Sequence, residues 1–221
     1  MMDPIDYAGL KKKQRTIRGG FPESVGLRVH RAISWIGRAE MAGQDDDACF
    51  IFLWIAFNAA YANERDFQIA VQSEREVFLE YFRKLMSLDT DSRIYSAIWQ
   101  RFSGPVRLLM GSRFLYNPFW QHHNGIAGFA DWEQRFNASH SAFLYAFQAG
   151  DTARVLSFVF NRLYVLRNQV VHGGSTWNSS VNRNQVRDGA AILGFLLPVF
   201  VDLMMDNPHT DWGRPFYPVV A

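Results

Sequence analysis

The chain has 221 residues, 48% of them hydrophobic and 20% charged, with a formal net charge of +2. That length can bury a full core as one large domain, and the balance excludes a disordered or fibrous chain. So small a charge gives nucleic-acid binding no bulk electrostatic footing. The single cysteine, Cys49, excludes an intrachain disulfide and points to a reducing compartment, read as the cytoplasm.

Residues 1–22 form a polar segment in which Lys11, Lys12, Lys13, Arg15 and Arg18 concentrate positive charge. The plain reading is a solvated basic arm, and the sharper one is an arm that touches RNA. The segment lacks the apolar stretch of a secretory signal. From Glu23 to near Gly43, Val25, Val29, Ile33 and Ile36 recur every three or four residues with Arg28, Arg31 and Arg38 between them, which predicts an amphipathic helix. Asp45, Asp46 and Asp47 then supply an N-cap and favourable negative charge for a helix from Ala48 to about Asn63. Apolar almost all round, that helix should be central, and Asn58 alone interrupts it. Asn58 is expected either as a buried group bonded across to another helix or as support behind a cleft. Glu64, at the helix end, is expected in solvent.

A third helix is predicted over about residues 66–86, burying Ile69, Val77, Phe78, Tyr81, Phe82 and Leu85. Residues 92–110 read as helix, with a break or kink at Gly104-Pro105. Residues 111–128 are aromatic and poorly periodic, and read as an irregular excursion with a short helical turn. A helix over about 131–148 stops at Gly150, and Asp151 caps the next, residues 152–171, which His172-Gly173-Gly174 ends. The last long helix, about 182–205, contains Gly194 and Pro198 and should bend.

The most apolar stretches, residues 48–62 and 189–201, are shorter than the ~20 residues of a spanning helix, so buried helices and no membrane association are expected. Nothing alternates with period two and no repeat is visible, so the class is all-α. The expected layout is one domain over 23–206 with a tail at 207–221. Nineteen Phe, seven Trp and eight Tyr imply a bulky core or a large buried interface, and a homodimer fits that content.

The chemistry concentrates at the end of the 152–171 helix. Val155, Val159, Leu163, Leu166 and Val170 form its apolar stripe, leaving Arg167, Asn168 and His172 in and just after the last turns. Asn168 and His172 are four apart, roughly 40° around the axis, and Arg167 is long enough to join them. A helix C-terminus carries partial negative charge, which suits a cationic imidazolium acting as general acid. Arg167 offers a fork of donors to a phosphate, and Gly173-Gly174 leaves room beside the site. No cofactor or metal is required.

The run Arg167-Asn168-Gln169-Val170-Val171-His172, an Arg followed by a polar residue and then a His five positions after the Arg, resembles the signature of HEPN domains. The wider run 163–185, with Gly173-Gly174-Ser175-Thr176-Trp177 after the motif, resembles a bacterial branch of that superfamily. Leu53-Trp54-Ile55-Ala56-Phe57-Asn58-Ala59-Ala60-Tyr61 is similar to the apolar helix that precedes the motif in such proteins. The resemblance implies an antiparallel helical bundle, with extra helices here, that dimerises with both motifs facing one cleft. It also implies metal-independent RNA cleavage by 2′-hydroxyl attack, as a toxin or a defence or stress effector. In that picture His172 is acid or base, Arg167 holds the phosphate and Asn168 orients them, while Arg162, Arg183 and Arg187 would line an RNA-binding groove and Asn58 would support the site. The alternative within the family is a non-catalytic dimerisation or nucleotide- or RNA-binding module, paired with a nucleotidyltransferase-like antitoxin.

Plainer readings stand beside these. Arg167, Asn168 and His172 can form a helix-end cap with Arg167 paired to Asp188. His122 and His123 are adjacent and have no completing ligands at a metal-binding spacing. His30 and His140 read as surface or core-edge residues. The aromatics between Phe114 and Trp132 can stack bases, but a local core is the commoner outcome.

Overall fold

A computed structural model describes residues 5–62 and 74–219, the side chains of residues 74, 75 and 77 excepted. The expected positions of Glu64, Ile69 and the Val77 side chain lie outside them. Among the described residues the regular structure is helical throughout, as the missing period-two pattern requires. In chain order the helices are α1 (Tyr7–Ile17), α2 (Glu23–Glu40), α3 (Asp46–Tyr61), α4 (Glu74–Leu88), α5 (Arg93–Ser96), α6 (Ser103–Gly111), α7 (Asn117–His123), α8 (Trp132–Gln148), α9 (Thr152–Val171) and α10 (Arg183–Asp206). They fall into two compact units. One contains α1, α2, α3 and α10 with residues 87–93, and the other contains α4 up to residue 86 with residues 94–176.

In the first unit α2, α3 and α10 pack on one another and α1 packs on α2 and α10. Asp45 caps α3 as expected, its side chain accepting from the Ala48 N–H at 3.0 Å. That bond chiefly holds the Asp45 carboxyl below its ordinary pKa. The basic segment is not a solvated arm. Asp6 caps α1 by accepting from Gly9 N at 2.8 Å, Leu10 and Gln14 are buried, and Lys13 Nζ reaches Asp202 at 2.5 Å and Asp206 at 2.7 Å. The Tyr7 ring lies so close to α2 that a Cβ on Gly37 would sit 2.6 Å from it, so this crossing requires glycine.

Asp202 gathers more than Lys13. Arg93 Nη1 lies 2.7 Å from its other oxygen, and Arg93 Nε is 3.5 Å from Asp89. Burial opposes the charge on Arg93, but bonding and attraction from Asp202, then from Asp89, outweigh it and move its pKa up. Arg28, expected on the polar side of α2, is fully buried. It donates to the carbonyls of Ala60 at 3.1 Å, Ala62 at 2.8 Å and Arg214 at 2.9 Å. The α3 C-terminus therefore holds a cation where its carbonyls are unpaired. The same arginine ties down the residues after α10. Helix α10 is long and apolar enough by composition to cross a membrane, yet 78% of its apolar window is buried inside the protein. Pro198 stands within it, as the sequence indicated.

In the second unit α9 packs against α8 and α6. Phe82 and Phe160 stand 4.7 Å apart, with Phe78 at 6.3 Å from each. The expected break near Pro105 falls earlier, at Phe102. A single π-helical turn over Ala97–Arg101 bonds Phe102 N to Ala97 O at 2.9 Å, and α6 restarts with Pro105 in its first turn. A proline fits there because first-turn N–H groups have no helical partner. Residues 111–131 follow the expected pattern, with a 3-10 turn at Arg113–Leu115, then α7, then a loop.

Candidate functional site at the end of helix α9

Helix α9 has the predicted boundaries, and its ends explain themselves. Asp151 accepts from Arg154 N at 3.0 Å at the start. At the finish Gly174 N bonds Gln169 O at 2.7 Å and Gly173 N reaches Val170 O at 3.4 Å, with Gly173 at φ +72°. This is the Schellman arrangement, which needs a residue comfortable in the left-handed region at Gly173. A Cβ at Gly174 would also meet Gln169 O at 3.0 Å. The two glycines thus have a sufficient structural task in stopping the helix.

Within the motif, Arg167 and Asn168 are brought together. Arg167 Nη1 donates to Asn168 Oδ1 at 2.8 Å, and both residues are half-buried. Arg167 makes no ion pair with a described residue of its unit, and Asp188, in the other unit, has Arg187 at 3.7 Å. The two residues of the alternative Arg167–Asp188 cap belong to different units. His172 is the C-cap residue, fixed through its own N–H to Asn168 O at 2.9 Å. Its side chain is exposed and its imidazole bonds to no described residue. The helix end thus offers an exposed imidazole and, on its last turns, a guanidinium steadied by an amide.

The other expected residues separate. Arg162 is 1% exposed, so it is not part of an RNA-binding surface. Its guanidinium lies 4.5 Å from the Tyr116 ring and 5.4 Å from Phe136, and Nη1 reaches Leu115 O at 3.4 Å. Burial pushes its pKa down to about 10, against a smaller opposing attraction from Tyr116. Arg183 and Arg187 belong to the first unit. Arg183 is committed to Asp47 at 2.5 Å and to Ser179 O at 3.2 Å, while Arg187 is the exposed one, its side chain 59% accessible. Asn58, on α3, is half-buried, and of its two expected roles the bond across to another helix is not made among the described residues.

Several features had weak sequence signals. Asp45, the cap of α3, and Asp47, in its first turn, fasten the loop before α10, accepting from Trp177 Nε1 at 3.1 Å and from Asn178 N at 3.1 Å respectively. Gln169 Nε2 donates to Phe114 O at 2.6 Å, so α9 grips the aromatic excursion. The excursion is mainly a local core: Phe119 and Trp132 are buried and edge-to-face at 5.0 Å, with His123 4.2 Å from Phe119. His140, against Phe136 and Phe143, is a core-edge residue, and His30 is exposed. Among the described residues no three His, Cys, Asp or Glu side chains gather as a metal-ligand group. Comparison with protein-family models, with characterised proteins and with solved structures found no match.

Proposed function

We propose that the end of α9 is half of a metal-independent RNA-cleaving site of HEPN type, completed when a second copy of the chain brings its own motif to the same cleft. The observation that carries this reading is the pairing of Arg167 with Asn168 beside an exposed, unbonded His172. An arginine held by a neutral amide keeps its charge and most of its donors for a phosphate, which one paired to a carboxylate does not. In the step proposed, the RNA 2′-oxygen attacks the adjacent phosphorus and loses its proton to a base. The P–O5′ bond breaks, and an acid protonates the leaving oxygen. The products are a 2′,3′-cyclic phosphate and a 5′-hydroxyl. His172 from the two copies serves the two proton transfers, and Arg167 steadies the charge that builds on phosphorus.

A second reading is a non-catalytic HEPN module that binds nucleotide, RNA or a partner protein such as a nucleotidyltransferase-like antitoxin. It is favoured by the fate of the neighbouring arginines, since Arg162 is buried and Arg183 is neutralised by Asp47. Incubating single-stranded and structured RNA with wild type, His172→Ala and Arg167→Ala in the presence of a chelator separates the two. Cleavage that falls by about 100-fold or more in both variants supports the enzyme. RNA or nucleotide binding without cleavage supports the module, and equal cleavage by all three proteins removes the motif from the chemistry.

A further inference from the structure

Each compact unit buries an arginine, and the two are satisfied very differently. Arg28 in the first unit donates to three carbonyls. Arg162 in the second has one bond, the 3.4 Å contact to Leu115 O, and its Nε and Nη2 are buried without a partner. No carboxylate among the described residues faces it. The unpartnered nitrogens share one edge of the guanidinium. On that edge the Nε–H and one Nη2–H run parallel, the geometry with which arginine grips two oxygens of one carboxylate or phosphate.

The surroundings reinforce that reading. The Tyr116 and Phe136 rings flank the guanidinium and meet each other edge-to-face at 5.5 Å, which fixes its plane. The Nη1 bond to Leu115 fixes its rotation about that plane. A buried guanidinium that is oriented but uncompensated is a costly feature to fold, and an apolar side chain would pack there without that cost. An oxyanion drawn to that buried edge supplies both the missing charge and the two missing acceptors.

We propose that the Nε/Nη2 edge of Arg162 is a binding site for one small oxyanion, a carboxylate or a phosphate, enclosed in the second unit by Tyr116, Phe136 and the turn at Arg113–Leu115. This does not depend on the RNA-cleavage reading, because it uses neither Arg167 nor His172. The test is thermal unfolding of the full chain in chloride, acetate or inorganic phosphate at matched ionic strength. Acetate, phosphate or both raise the wild-type melting temperature saturably, by about 3–6 °C at ten times the dissociation constant. A response to one anion alone identifies the group bound. Arg162→Met, which keeps the bulk and removes the fork, loses the response. As a check that needs no variant, one exchange-protected arginine Nε–H signal of the nitrogen-15-labelled wild type shifts during the same titration. Absence of any saturable change in both measurements overturns the proposal, as does an equal melting response in Arg162→Met.

Discussion

Arg28 and Arg162 stand in phase with the apolar stripes of their helices. Arg28 follows Val25 by three positions and precedes Ala32 by four, and Arg162 follows Val159 by three and precedes Leu166 by four, all four of those neighbours being buried. Phase was the legible signal in both cases, and residue type, which reads arginine as solvent-facing, outweighed it. A long side chain can keep its stem in a core while its head finds carbonyls or rings, so polarity alone does not assign a face. Cys49 illustrates the converse. Its apolar neighbours indicated a packing role, and burial, then the charges of Asp46 and Asp45, push the thiol up to about 11. Two units above the ordinary thiol leave roughly 100-fold less thiolate near neutral pH. Iodoacetamide at pH 8 should therefore modify Cys49 in folded protein about 100-fold more slowly than in protein unfolded in urea; equal rates would refute the assignment.

At the scale of elements, helix ends were the most legible features, because a cap is a local event between residues a few positions apart. Asp45, Asp151, Gly150 and Gly173 all act where their types indicated. Gly173→Ala forces a Cβ into the left-handed region and should destabilise the protein by about 1 kcal/mol, lowering the melting temperature by about 2–4 °C. An unchanged melting temperature would mean that the stop does not rely on glycine. Less legible was α1, whose basic residues suggested an arm. Its partners Asp202 and Asp206 are almost two hundred positions away, and no local pattern announces them. Replacing Asp202 with Ala removes the carboxylate that Lys13 and Arg93 share, leaving Lys13 with Asp206 and Arg93 with the longer contact to Asp89. The side chains of Arg93 and Asp202 are only 11% and 12% exposed, whereas that of Lys13 is 30% exposed. A loss of about 2–3 kcal/mol is expected, below the full value for a buried pair because Lys13 reaches solvent. Urea unfolding of Asp202→Ala beside Lys13→Met measures it, and a loss under about 0.5 kcal/mol would show the cluster to be incidental.

For the whole molecule, class was readable because helical periodicity runs through nearly every segment, and the absence of alternating stretches ruled out a sheet. The grouping of helices into two compact units was not readable, since α10 returns to the first unit after the intervening residues have built the second. For the same reason the arginines that cluster around the motif in sequence do not share a unit. What remains of the site is compact: a guanidinium held by an amide and an exposed imidazole at one helix end. In the account proposed, that half-site works only as a pair. The most direct test is a dilution series of wild type and His172→Ala with end-labelled RNA in chelator, read for product ends and, in parallel, for sedimentation. Wild type should leave 2′,3′-cyclic phosphate ends, with specific activity falling as the dimer dissociates, and His172→Ala should leave the RNA intact. Intact RNA with wild type at every concentration, or cleavage that persists in His172→Ala or in a monomer, would contradict it.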